Sequence, residues 1–77
     1  MTRKDFLLNL EDVLEVPAGS IHAEQLIADL PNWDSLAVMT FIAMVDDHTG
    51  VMLSGAKIAE AKSVNDLIAL LGDKVSG

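Results

Sequence analysis

The chain has 77 residues, a formal net charge of −7 at pH 7 and no cysteine, which predicts one small domain over residues 1–77 without disulfides or zinc–thiolate sites. Five Lys and Arg residues against twelve Asp and Glu residues argue against nucleic-acid binding, which needs a basic face. No apolar run is long enough to span a membrane and the N-terminus lacks the apolar region of a signal peptide, so we expect a soluble, cytoplasmic protein without membrane insertion. Because the only aromatic residues are Phe6, Trp33 and Phe41, the sequence predicts an aliphatic, methionine-rich core.

The first helix is predicted from Arg3 to Leu14. Thr2 and Asp5 form a capping-box pattern at its start, and Val16-Pro17 is expected to end it because the residue before proline avoids the α region. The predicted apolar face contains Phe6, Leu7, Leu10, Val13 and Leu14. The residues predicted to lie away from that face are Lys4, Asp5, Asn9, Glu11 and Asp12, and Leu8 is expected to be partly exposed.

A long connection follows, from Glu15 to Asp34. Its length is unusual for a compact domain and suggests a function. The spacing of apolar residues predicts that Ile21, Leu26, Ile27 and Leu30 attach it to the core, with one helical turn between Ala23 and Leu30.

The second helix is predicted from Ser35 to His48, with Gly50 after its end. Its start carries Asp34-Ser35-Leu36, and Ser35 is placed at or beside the N-cap. Free N–H groups and the helix dipole at this end favour an attached anion, so the Ser35 hydroxyl suits a phosphate ester. The alternative is that Ser35 is only a helix cap.

The two sides of this second helix differ in character. The residues predicted to face the core are Val38, Phe41, Ile42 and Val45. The opposite side is an apolar patch fringed by carboxylates, formed by Leu36, Met39, Thr40, Ala43, Asp46 and Asp47. An ordinary surface helix would be charged there, so the patch indicates either partner docking or burial beneath the first and last helices.

Two shorter helices complete the prediction of an all-α, four-helix bundle with a short third helix. Ser54 caps the third helix, which runs to about Ala61 with Ile58 and Ala61 inward, and Ser63 and Asp66 form a second capping box. The last helix buries Val64, Leu67, Ile68 and Leu71 and stops at Gly72. The ordered core is expected over about residues 3–72, with Asp73 to Gly77 frayed.

No catalytic set is evident, since the chain has only His22 and His48 and no cysteine. We therefore expect neither an enzyme nor a metal site, and interpret Asp46-Asp47-His48 as a solvated helix end. Two acids in the final turns nevertheless oppose the helix dipole, at a cost of roughly 0.3–1 kcal/mol each. Trp33 either anchors the end of the long connection or flanks a group attached to Ser35.

The helical pattern, the long first connection, the acidic charge and Asp34-Ser35-Leu36 at the start of the second helix together resemble an acyl carrier protein over about Arg3 to Gly72. The resemblance implies a 4'-phosphopantetheine arm from coenzyme A on Ser35, whose thiol carries acyl groups as thioesters. It also implies recognition of Asp34 and Leu36 by a phosphopantetheinyl transferase. Acyl-loading and acyl-transferring enzymes would dock on the second helix of a monomeric carrier.

The chain departs from two patterns within this resemblance. Ala37 and Thr40 occupy positions that are often acidic in fatty-acid-synthesis carriers, and Asn32-Trp33-Asp34 replaces the glycine pair and His or Asn typical of peptidyl carriers. We therefore expect a specialised stand-alone acyl carrier of lipid or secondary metabolism. The alternatives are a peptidyl or aminoacyl carrier, or a helical protein-interaction module that carries nothing.

Overall fold

The computed structural model describes residues 1–76. Its helices are α1 (Arg3–Leu14), α2 (Ser35–Thr49), α3 (Gly55–Glu60) and α4 (Val64–Leu71). Short 3₁₀ turns lie in the α1–α2 connection, at Ile27–Asp29, and after α4, at Gly72–Lys74. The predicted four-helix bundle is thus confirmed, together with its short third helix and its helical turn in the connection.

The helix ends follow from local hydrogen bonds. Thr2 and Asp5 form the predicted capping box of α1, and Ser63 and Asp66 form that of α4. At the other end of α1, Glu15 has a left-handed backbone (φ 57°) and its N–H bonds to carbonyls of the last turn. The helix therefore stops before Val16-Pro17, the pair predicted to end it.

The two longest helices, α1 and α2, contact each other in the core through aromatic rings. Phe6 of α1 and Phe41 of α2 are both fully buried and meet edge to face, with ring centroids 5.8 Å apart. The prediction of a methionine-rich core was wrong. Among residues 1–76 no methionine is fully buried, since Met1 and Met44 are half-buried against the core and Met39 and Met52 are 67% and 80% exposed. The buried hydrophobic residues are Phe6, Leu10, Leu14, Ile21, Ile27, Leu30, Ala37, Phe41, Val45, Ile58, Val64, Leu67, Ile68 and Leu71.

Glu11 holds the first half of the α1–α2 connection. Its prediction as an outward residue was wrong, since the side chain is buried and its Oε2 accepts hydrogen bonds from the N–H groups of Gly19 (2.8 Å) and Ile21 (2.9 Å). The connection folds over this position and its backbone supplies the partners that a buried carboxylate requires.

The second half of the connection pairs with the link between α3 and α4. The Ile27 N–H donates to the Lys62 carbonyl and the Val64 N–H donates to the Gln25 carbonyl, each at 2.9 Å. Leu26 has an extended backbone at this pairing and its side chain is 52% exposed, whereas Ile27, the first residue of the 3₁₀ turn, is buried. The prediction that Leu26 attaches the connection to the core was therefore wrong.

The C-terminal segment is also tied down, contrary to the predicted fraying. The Arg3 N–H donates to the Ser76 carbonyl at 2.8 Å, and the Ser76 N–H donates to the Met1 carbonyl at 3.0 Å. Val75 packs against the core. Backbone pairing with the N-terminus therefore orders residues 73–76, while the predicted fraying of Gly77 lies outside the described residues.

Candidate functional site

The N-terminus of α2 is capped by Asp34. Its backbone is extended, and its Oδ1 accepts a hydrogen bond from the Ala37 N–H at 2.8 Å. The next residue, Ser35, is the first residue of the helix and is exposed to solvent. Ser35 thus lies beside the N-cap, and the hypothesis that it serves as the cap itself is wrong.

Two other serines at helix starts show what a capping serine does in this fold. Ser54 Oγ accepts from the Lys57 N–H at 3.2 Å, and Ser63 Oγ accepts from the Asp66 N–H at 3.3 Å. The corresponding bond at α2 is made by the carboxylate of Asp34. The Ser35 hydroxyl is therefore not used as a helix cap and is available for modification, whereas the hydroxyls of Ser54 and Ser63 are occupied as caps.

The surroundings of Ser35 suit an attached phosphate. The paired N–H groups at the start of α2 belong to Ala37 and Val38, which donate to the side chain and the carbonyl of Asp34. The N–H groups of the first turn and the dipole of a 15-residue helix favour a negative charge at this end. Leu36, the next residue, is 71% exposed, so the hydroxyl is not covered by its neighbour.

The surface predicted for partner docking is open to solvent. All six of its residues are exposed, which contradicts the alternative that α1 and α4 bury this side of α2. They are Leu36, Met39, Thr40, Ala43, Asp46 and Asp47. Leu36 and Met39 account for two of the five large hydrophobic residues exposed in the part of the chain that the structure describes.

A cleft of about 510 Å³ between α1 and α2 divides these six residues into two groups. Leu36, Thr40 and Asp47 line the cleft, and the wall opposite is formed by side chains of α1, including Asp12 and Val13. The other three residues of the predicted surface are exposed but do not line this cleft. These are Met39, Ala43 and Asp46.

Asn32 and Trp33 hold the turn that precedes Ser35. Trp33 is half-buried and meets Phe41 edge to face, with centroids 5.9 Å apart, so the prediction that it anchors the connection is confirmed. Asn32, whose role the sequence did not reveal, donates from Nδ2 to the Leu14 carbonyl at 2.8 Å. The signal available for it was Pro-Asn, since Asn tolerates the left-handed backbone of turns.

Among residues 1–76, no three His, Asp or Glu side chains converge as metal ligands, those at the acidic end of α2 included. His48 lines the α1–α2 cleft beside Asp47, whereas His22 lies in the connection between those helices.

A family model described as "Phosphopantetheine attachment site" matches residues 7–71. The match covers most of the chain, and the protein therefore belongs to this family of phosphopantetheine carriers. The family carries a 4'-phosphopantetheine prosthetic group. Its carrier domains are in general non-catalytic and interact with phosphopantetheinyl transferases and partner enzymes. The comparisons with curated proteins and with solved structures gave no match.

One further property concerns membranes. Within residues 1–76, none of the helices combines the length and the apolar character needed to cross a bilayer.

Proposed function

We propose that this protein is an acyl carrier that holds acyl intermediates as thioesters on a 4'-phosphopantetheine arm attached to Ser35. The observation that carries the proposal is the division of roles between two adjacent residues at the start of α2, Asp34 and Ser35. Asp34 caps the helix, and Ser35 presents an exposed hydroxyl within the matched region. Asp34 and Leu36, which flank the attachment residue, are the positions that the transferase contacts in this proposal.

The attachment itself is a phosphoryl transfer from coenzyme A. A bond forms between Ser35 Oγ and the phosphorus of the pantetheine arm, the diphosphate bond of coenzyme A breaks, and adenosine 3',5'-bisphosphate leaves. The proton of the hydroxyl passes to a base of the transferase. The arm then supplies the thiol that the chain itself lacks, since it contains no cysteine.

The side chains on α2 support specialised partners. The first two turns of its exposed side carry Leu36, Met39 and Thr40, while the carboxylates Asp46 and Asp47 lie near the other end. A partner that docks here needs an apolar contact beside Ser35 and cationic groups further along α2. Efficient charging and elongation by the general fatty-acid enzymes would contradict the specialised role and would favour the housekeeping one.

The attachment is tested by the intact mass of the protein after incubation with coenzyme A, Mg²⁺ and a broad-specificity phosphopantetheinyl transferase. We expect the wild-type chain to gain one phosphopantetheine and the Ser35→Ala variant to gain none. Ser54→Ala is the matched control, because it removes the hydroxyl of another serine at a helix start. If no transferase of the source organism modifies the wild-type chain, the non-carrier interaction module becomes the better interpretation.

The nature of the cargo is tested on the modified protein. Loading from fatty acids by acyl-activating enzymes of the source organism supports the acyl carrier. Loading only from amino acids by an adenylating enzyme would instead assign the protein as an aminoacyl or peptidyl carrier.

A further inference from the structure

The turn that leads into Ser35 is attached to the rest of the fold at three successive residues. Asn32 bonds through its side chain to the Leu14 carbonyl at the end of α1. Trp33 packs its ring against Phe41. Asp34 caps α2. Of these three attachments, that of Asn32 bonds the turn directly to α1, whereas those of Trp33 and Asp34 are to residues of α2.

The backbone of Asn32 explains why an asparagine serves here. Its φ of 60° lies in the left-handed region, which asparagine adopts more readily than most residues with side chains. In that conformation its carboxamide reaches a carbonyl that α1 leaves without a partner in its own helix, as the last four carbonyls of any helix are. One side chain therefore provides a hydrogen-bond donor for the last carbonyl of α1 and sets the direction in which the chain enters α2.

We infer that Asn32 is a positioning residue for the modification of Ser35, an inference that rests on the proposed function. Asn32 lies three residues before Ser35 and acts through the turn that the two share. Its bond to Leu14 fixes the start of α2 relative to α1, so that the exposed hydroxyl is presented to the transferase in one orientation. Without the bond, the turn keeps its contacts through Trp33 and Asp34 but gains freedom relative to α1.

The test compares Asn32→Gly with wild type in the single-turnover rate of phosphopantetheine transfer, with coenzyme A and transferase saturating. Glycine tolerates the left-handed backbone of this position and lacks the carboxamide that bonds to Leu14. We expect the rate to fall about tenfold, within the roughly hundredfold loss that a misplacement of about 1 Å can cause. The concentration of transferase that gives half the maximal rate should stay unchanged, because the exposed surface of α2 is intact.

The matched control is Asn9→Ala. Asn9 also donates from Nδ2 to a backbone carbonyl, that of Asp5, at the same distance of 2.8 Å, and it lines the same α1–α2 cleft. Loss of this bond in Asn9→Ala should leave the transfer rate at the wild-type value. All rates are measured at a temperature at which melting curves show every variant to be folded. Equal rates for Asn32→Gly and wild type, or equal losses in Asn32→Gly and Asn9→Ala, would overturn the inference.

Amide relaxation measured by NMR gives a readout that does not depend on modification. Asn32→Gly should lower the backbone order parameters of residues 33–35, whereas Asn9→Ala should not. Unchanged order parameters in Asn32→Gly would overturn the inference even if the wild-type chain proved not to be modified. Failure of the wild-type chain to be modified would count against the proposed function alone.

Discussion

The carboxylate of Asp34 lies 2.8 Å from the Ala37 N–H and caps the helix that begins at Ser35. This bond separates two tasks that a serine at a helix start often combines. Asp34 stabilises the helix, and Ser35 is left with an exposed hydroxyl at the positive end of the helix dipole. The proposed attachment chemistry therefore needs no rearrangement of the cap.

This division of tasks predicts different effects for neighbouring substitutions. Asp34→Ala should lower the free energy of unfolding by about 1 kcal/mol, the typical cost of losing an N-cap. Ser35→Ala should change it by less than about 0.5 kcal/mol, as for most exposed positions. Urea unfolding of both variants measures the difference, and equal losses would show that Ser35 contributes to the cap after all.

Among the acidic residues of α1, Glu11 is expected to contribute most to the free energy of unfolding. Glu11→Ala removes the acceptor of both the Gly19 and Ile21 N–H groups, and hydrogen bonds to charged groups are worth about 1.5–3 kcal/mol each. We expect the free energy of unfolding to fall by at least about 2 kcal/mol. The control is Asp12→Ala on the exposed side of the same helix, and a loss no larger than that of the control would contradict the role assigned to Glu11.

The surface proposed for partner docking predicts changes in partner affinity without changes in stability. Leu36→Ala and Met39→Ala should each raise the KM of the transferase for the carrier by about tenfold, since burial of such a side chain is worth about 1.5–3 kcal/mol. Their free energies of unfolding should stay within about 0.5 kcal/mol of wild type because both side chains are largely exposed.

Met52→Ala is the matched control for that experiment. The side chain of Met52 is 80% exposed, a fraction close to those of Leu36 and Met39. Met52 lies outside α2, however, in the connection to α3. Its substitution should leave the KM unchanged. If all three variants behaved alike, the exposed apolar side chains of α2 would have no special role in docking.

The capping box of α4 predicts a dependence of stability on acidic pH. Hydrogen bonds from the N–H groups of Lys62 and Ser63 hold the pKa of Asp66 below its ordinary value of 3.8. The unfolded chain therefore binds a proton at a higher pH than the folded chain does. The contribution of Asp66 is present above pH 3.8 and is lost as the pH falls through the folded-state pKa.

Denaturant unfolding at a series of pH values measures this effect. Asp66→Asn should lower stability at neutral pH and flatten the loss of stability below pH 3.8. Asp46→Asn, which removes one exposed carboxylate without touching a cap, is the control for the change in net charge. An acid dependence as steep in Asp66→Asn as in wild type would contradict the prediction.

The sequence by itself determined the helices, their boundaries and the position of the Asp34-Ser35-Leu36 motif. These features depend on interactions between residues three or four positions apart, such as the Thr2–Asp5 and Ser63–Asp66 capping boxes. The apolar spacing of α4 likewise identified its buried residues without any knowledge of their partners.

Only the tertiary structure decided which polar groups support the candidate site. The choice of Asp34 over Ser35 as the cap depends on the backbone geometry of the turn, which Asn32 ties to a carbonyl 18 residues earlier. Glu11 is buried because a loop eight to ten residues further along folds over it. A residue pattern records the spacing within one helix, but not which distant backbone group will satisfy a polar side chain, because that partner is brought close only when the chain folds.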